Sequence, residues 1–168
     1  MSLPPVLENV RKRPGMYFYK VEFDVVAAFI KGFDLAMTGG LLVGFREWLV
    51  VKLGYANNWP WEGLVLRLTF PETESARSQL PQAENQQRAV ESLFGLLEAF
   101  LQEREAPDGL RRIFLRYETW LRQQDWYGPS SPQWLPMEEW EGSVKGKKRS
   151  RAKQRTRNRA DSSGGDGR

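Results

Sequence analysis

Apolar residues recur every three or four positions along most of the chain, which is the spacing of an amphipathic helix. The strongest such stretch lies between residues 22 and 37, where Val25 and Phe29 extend the apolar positions almost all round the helix. A helix that is apolar all round is typical of a central position in a core. The spacing is carried by Phe23, Val26, Ala27, Ile30, Phe33 and Met37.

The same spacing predicts several more helices, and together they indicate a small all-α domain of about five helices. One stretch is ambiguous, because Leu64, Leu66, Leu68 and Phe70 alternate as in a strand. Asn58 and Pro60 are typical of a helix start, so minor β structure is possible around 62–70 but we favour a helix, since no second strand could pair with it. The five predicted helices are 5–12, 22–37, 41–53, 83–104 and 109–124, and the ambiguous stretch 61–70 would be a sixth.

Composition divides the chain near residue 144. Positions 1–144 hold 15 basic and 19 acidic residues, and we interpret them as one helical domain that ends in an extended Pro- and Trp-rich strap at 126–144. Residues 145–168 form a basic tail with too little apolar surface to fold, so we expect it to be disordered. The alternatives for this tail are contact with a polyanion, a solvated extension that aids solubility, and contact with the acidic domain of the same chain. Its candidate polyanion-binding residues are Lys145, Lys147, Lys148, Arg149, Arg151, Lys153, Arg155, Arg157 and Arg159.

The chain contains no cysteine and no histidine. This excludes thiolate nucleophiles, cysteine-ligated metals, histidine metal ligands and a Ser-His-Asp triad. We therefore predict a protein that is not an enzyme and needs no cofactor. No apolar run is long enough to span a membrane and no signal peptide is evident at the N-terminus, so a cytoplasmic location is expected.

The segment from Leu7 to Tyr17 resembles part of the gyrase B ATPase domain near its start. That family requires a following helix with a metal-binding Asn and glycine-rich phosphate-binding segments. The helix predicted here has Gly32, Phe33 and Asp34 in the corresponding region, and the glycine motifs do not occur. We therefore do not predict ATP binding.

A longer pattern, over about residues 5–100, resembles a group of small bacterial proteins with an Arg-Pro-x-Met-Tyr motif. That group is associated with predicted toxin-immunity and defence loci. The resemblance implies an immunity-like or defence-associated binding protein, and it implies no site residue. The matching residues are Arg13, Pro14, Met16, Tyr17, Gly32, Phe33, Phe45, Trp48, Trp61, Phe94, Leu96 and Leu97.

Two sets of residues are candidates for partner binding. Arg11, Arg13 and Tyr17 could form a surface patch, although the alternative is a structural turn in which Met16 fills a gap in the core. The second set, in the strap, is Trp126, Trp134 and Trp140, because Trp and Arg dominate binding hot spots, although the alternative is that these rings only pack over the core. The predicted core tryptophans are Trp48, Trp59, Trp61 and Trp120.

These observations lead to two functional hypotheses. The first is a non-catalytic interaction protein, of an immunity-like or defence-associated kind, that binds a protein partner through its surface. The second is a nucleic-acid-associated protein whose tail contacts phosphates without reading sequence.

Overall fold

The structure is a computed structural model that describes residues 3–132 and 134. These residues form six α-helices and contain no β-strand, which confirms the predicted mostly α fold. Two short 3₁₀ helices, Pro14–Met16 and Ala76–Gln79, lie between them. The α-helices are α1 (Pro5–Lys12), α2 (Phe23–Ala36), α3 (Phe45–Leu53), α4 (Trp61–Thr69), α5 (Ala83–Glu105) and α6 (Gly109–Leu121).

The chain divides by its internal contacts into two units, Met1–Leu121 and Arg122–Arg168. All six helices belong to the first unit. The predicted domain boundary after residue 144 and the predicted disordered tail lie outside the described residues.

The core of the first unit is built around α5, which packs against α2, α3, α4 and α6. Phe94 and Phe100 of α5 are fully buried. The Phe100 ring lies 5.1 Å from that of Phe45 on α3, and Trp48 packs beside both rings. The predicted core role of Trp48 is therefore confirmed, whereas Trp59 is 39% exposed and does not belong to the core.

The ambiguous stretch is the helix α4. Its buried residues are Leu64, Val65, Leu66 and Thr69, a spacing that fits one side of a helix rather than one face of a strand. The Thr69 hydroxyl donates to the carbonyl of Val65 at 2.8 Å, so this polar side chain is satisfied inside the core. The weak preference for a helix over a strand was correct.

Helix α3 begins at Phe45, four residues later than predicted. Gly44 adopts a left-handed conformation with φ of 85°, which a helix cannot contain. The preceding turn is held from outside: the N–H of Leu42 donates to the Asp34 carboxylate at 3.0 Å, and Arg104 donates to the carbonyls of Gly40 and Leu41. These bonds to side chains outside the turn replace the helical turn that the sequence pattern predicted.

The described part of the second unit consists of turns. The N–H of Tyr127 donates to the carbonyl of Gln124 at 3.0 Å, and the N–H of Ser131 donates to that of Gly128 at 2.8 Å. The prediction of an extended strap is therefore wrong for this part, because a Gly-Pro-Ser-Ser sequence favours tight turns. The remainder of the strap, from residue 135, lies outside the described residues.

Candidate interaction surface on the second helix

Helix α2 is apolar on two opposite faces, and only one of them is buried. Phe23, Val26, Ala27 and Ile30 point into the core. The opposite face is solvent-accessible: Leu35 is 76% exposed and Val25 is 38% exposed. Six residues at helical spacing make up this second face, which we call the α2 face: Val25, Ala28, Phe29, Gly32, Leu35 and Ala36.

This exposure corrects the prediction that α2 is a central helix. Among the helices that the structure describes, α5 is its principal neighbour. The sequence correctly indicated an apolar circumference, but one side of it lacks a partner within the described residues. Large exposed apolar patches on soluble proteins usually mark interaction sites.

The charged side chains of α2 do not interrupt the α2 face. Each of the three is bonded to a group on another segment, which holds it at the border of the face or beneath it. The α2 face therefore presents about three helical turns of apolar surface without a charge. The bonds join Asp24 to Arg77 at 2.7 Å, Lys31 to Glu62, and Asp34 to the N–H of Leu42 at 3.0 Å.

The connector between α1 and α2, residues 13–21, continues the surface. Phe29 of the α2 face contacts the rings of Tyr17 and Phe18, with centroids 6.1 and 5.5 Å away. Met16 is 73% exposed and Tyr19 is fully exposed. The alternative interpretation of this segment, in which Met16 fills a core gap, is therefore wrong: the 3₁₀ turn at Pro14–Met16 directs Met16 to solvent.

The connector is also basic. It contains Arg13 and Lys20 and no acidic residue. Both side chains are exposed, and neither forms an ion pair with any residue in 3–132 or with 134. Arg11, by contrast, pairs with Glu98 of α5 at 3.0 Å, so it is committed to holding α1 against the core.

The structure thus brings together some of the predicted partner-binding residues but not all. Tyr17 lies in the connector and contacts Phe29 of the α2 face, Arg13 lies four residues before it in the same connector, and Arg11 forms a structural ion pair. Trp126 is 56% exposed and Trp134 is half-buried, with the Arg122 guanidinium 4.9 Å from the Trp134 ring, all within the second unit. Trp140 and the nine basic residues from Lys145 to Arg159 lie outside the described residues.

Sequence reasoning missed most of the α2 face. Val25 and Phe29 were interpreted as core, and Ala28, Gly32, Leu35 and Ala36 were not singled out as a surface. The available signal was the apolar circumference of α2, which indicates that both sides are covered but not by what.

Two solvent-accessible cavities lie along the border of α2. The larger, of about 620 Å³, is lined by Lys20, Glu22 and Gln86 among others, and the smaller, of about 260 Å³, by Ala28, Lys31 and Glu62 among others. Both include the Asp24–Arg77 ion pair in their walls. The smaller cavity therefore places Arg77 and Lys31 directly beside the α2 face at Ala28.

The shifted carboxyl groups lie away from this surface. Burial acts to raise the pKa of Glu103, but hydrogen bonds from Trp48 and Arg116 and the charges of Arg116 and Arg112 hold that pKa below its usual value. The Lys12 ammonium, which donates to Glu8 on the same helix, lowers the pKa of that exposed carboxyl. The Glu103 bonds link α3, α5 and α6 and are structural.

Within residues 3–132 and 134, no group of three or more acidic side chains is placed to hold a metal ion. None of the helices in the same residues is both long and apolar enough to cross a membrane. Comparisons with models of protein families, with curated proteins and with solved structures found no significant match. The resemblance to the Arg-Pro-x-Met-Tyr proteins therefore stays a prediction.

Proposed function

We propose that this chain is a non-catalytic interaction protein that binds a protein partner through the α2 face and the adjoining connector. The observation that supports this most directly is the uncharged, exposed apolar side of a helix whose other side is already buried in the core. Exposing Leu35 alone costs about 1–2 kcal/mol that a partner would recover by covering it. Tyr17, Tyr19 and Met16 extend the apolar contact beyond the helix.

The same proposal includes an immunity-like or defence-associated role, in which the partner is a toxin encoded nearby. Its support is the resemblance of residues 5–100 to the Arg-Pro-x-Met-Tyr proteins. The test is co-expression with the products of adjacent genes, followed by size-exclusion chromatography. A stable complex that Leu35→Glu disrupts is the expected result, and neighbours that all elute separately would contradict this role.

The binding surface itself is tested with two variants of the full chain. Leu35→Glu places a charge in the α2 face, and Val6→Glu places one at a 42% exposed apolar position of α1, outside the face. Neither residue is buried, so we expect the free energy of unfolding of each variant to lie within about 0.5 kcal/mol of the wild-type value. We expect wild type and Val6→Glu to retain the same proteins from a nuclease-treated lysate of the source organism, and Leu35→Glu to lose them. Retention of the same proteins by Leu35→Glu would refute the proposed surface.

The second candidate function is contact with nucleic acid through the basic tail. It is favoured by nine basic residues between Lys145 and Arg159 with no acidic residue among them. Such a run binds phosphates by releasing counterions, which gives affinity without sequence recognition. This role is independent of the α2 face, and removal of the tail tests it separately.

A further inference from the structure

We propose that the partner presents an acidic amphipathic helix, which packs lengthwise on the α2 face with its carboxylates opposite the connector. This inference rests on the proposed function, because it identifies the chemistry of the group that the same surface binds. It follows from the relief of the face, from its size and from the charges at its border.

The surface shape of the α2 face is complementary to a partner helix. Ala28, Gly32 and Ala36 are spaced by four residues on α2 and are all exposed. Because their side chains are small, we infer that they form a shallow groove along the helix, with the larger Phe29 beside it. A Cβ atom built on Gly32 would meet no atom within 4 Å, so the groove is open at its centre. Rows of side chains four residues apart are the ridges and grooves by which helices interdigitate. A lipid surface requires no such groove.

The length of the face defines the helix that it can hold. From Val25 to Ala36 the helix rises about 16 Å, or three turns. A specific interface buries about 800 Å² on each partner, so the connector must add contact area beside the α2 face. In a symmetric dimer the facing surface would be the same uncharged α2 face, which supplies no carboxylate to Arg13 and Lys20.

The border of the surface is positive where it is most exposed. Arg13 and Lys20 have no ion-pair partner in the described part of the chain. In the pair between Lys31 and Glu62, the lysine side chain is 51% exposed and the glutamate 14%. The charges of Asp24 and Arg77 cancel, because the two side chains are almost equally exposed, at 56% and 63%. Two further carboxylates lie at or beneath the border: Glu22 is half-buried, and the half-buried Asp34 accepts the N–H of Leu42 at 3.0 Å. Both offset part of this positive charge, so we assign the preference to the exposed cations of the connector, Arg13 and Lys20.

The positions of these cations predict where the carboxylates of the partner lie. Tyr17 contacts Phe29, and the turn at Pro14–Met16 is closed by a hydrogen bond from the N–H of Met16 to the carbonyl of Arg13 at 3.1 Å. Arg13 is therefore one turn from the edge of the α2 face. Charge complementarity of this kind selects partners and accelerates association.

The test uses synthetic helical peptides as probes and the full chain as receptor. Three labelled peptides of about 18 residues, or five turns, share one Leu/Ala stripe, and their polar positions carry Glu and Gln, only Gln, or Lys and Gln. Fluorescence anisotropy is measured at about 50 and about 300 mM NaCl. We expect the Glu peptide to bind about tenfold more tightly than the Lys peptide at low salt, with the difference reduced at high salt.

Variants separate the connector from the basic tail, which also attracts acidic peptides. The double variant Arg13→Glu/Lys20→Glu should weaken binding of the Glu peptide about tenfold, and the matched tail variant Lys147→Glu/Arg149→Glu should weaken it much less. The milder Arg13→Gln/Lys20→Gln variant should give an intermediate loss. Circular dichroism confirms that each variant is folded.

The outcomes distinguish this inference from the proposed function. If Leu35→Glu abolishes binding of all three peptides but reversal of the connector changes nothing, the surface stands and the acidic partner is wrong. If Leu35→Glu has no effect, the surface itself is wrong. The remaining outcome is that the chain prefers an anionic surface to the Glu peptide. The probes are phosphatidylcholine vesicles with about 30% phosphatidylserine and single-stranded oligo(dT). If either binds more tightly than the Glu peptide, and reversal of the connector abolishes that binding, the inference of an acidic helix is overturned.

Discussion

Replacement of Gly32 by alanine should have opposite effects on stability and on binding. Gly32 lies in the interior of α2, is exposed, and has open space where a Cβ would be. Glycine costs about 0.5–1 kcal/mol relative to alanine in a helix interior. Gly32→Ala should therefore raise the free energy of unfolding by about that amount and the Tm by about 2–4 °C.

The same methyl group should weaken binding, because it fills the groove of the α2 face at its centre. A partner helix that packs against Gly32 must shift outwards or repack, which typically costs about 1–3 kcal/mol, or roughly a fivefold to hundredfold loss of affinity. Urea unfolding measures the first effect, and anisotropy with the Glu peptide measures the second. A change that stabilises the protein and weakens its binding is difficult to attribute to misfolding.

Gly95→Ala is the matched control. Gly95 lies in the interior of α5, is also exposed, and likewise has no atom within 4 Å of a built Cβ, but it is not part of the α2 face. It should give the same gain in stability with no change in affinity. If Gly32→Ala stabilises the protein and leaves affinity unchanged, the partner does not contact the groove. If it destabilises the protein, the reasoning about open space on α2 is refuted.

Three further predictions concern other parts of the chain. Gly109→Ala should lower the free energy of unfolding by at least about 2 kcal/mol, measured in urea, because its Cβ would collide with the carbonyl oxygens of Glu103 and Arg104; wild-type stability would refute this packing. Because the pKa of Glu103 is lower in the folded state than in the unfolded state, its carboxylate stabilises the fold at a pH above the unfolded pKa of about 4.3. That stabilisation is lost as the pH falls through the folded pKa. Glu103→Gln should therefore flatten the fall of the urea midpoint below about pH 5, and an unchanged slope would contradict this assignment. Truncation after Val144 should abolish salt-dependent binding to oligo(dT), whereas undiminished binding by the shortened chain would exclude a role for the tail.

The helices could be predicted from the sequence wherever local pattern and tertiary packing agree. The 3,4 spacing of apolar residues located α1, α2, α5 and α6 closely, because these segments bury one face along their length. The start of α3 could not be predicted, since it depends on the positive φ of Gly44, on the Asp34 carboxylate that accepts the N–H of Leu42, and on Arg104, which donates to Gly40 from more than 60 residues away. Local pattern carries no information about such partners.

The candidate site was predicted only at its edge, and α2 explains why. An apolar helix face gains the same free energy of burial whether the surface that covers it belongs to the same chain or to another protein. A helix that is apolar all round therefore predicts that both faces are covered, but not by which chain. The remaining helices of the first unit cover the face of Phe23 and Ile30 and leave that of Gly32 and Leu35 exposed. Arg13 and Tyr17 could be singled out from the sequence because charge and aromaticity are properties of the individual residue and do not depend on the fold. The face of α2 becomes visible only when the fold shows which apolar side the described residues leave uncovered, and that side is where we expect a partner to bind.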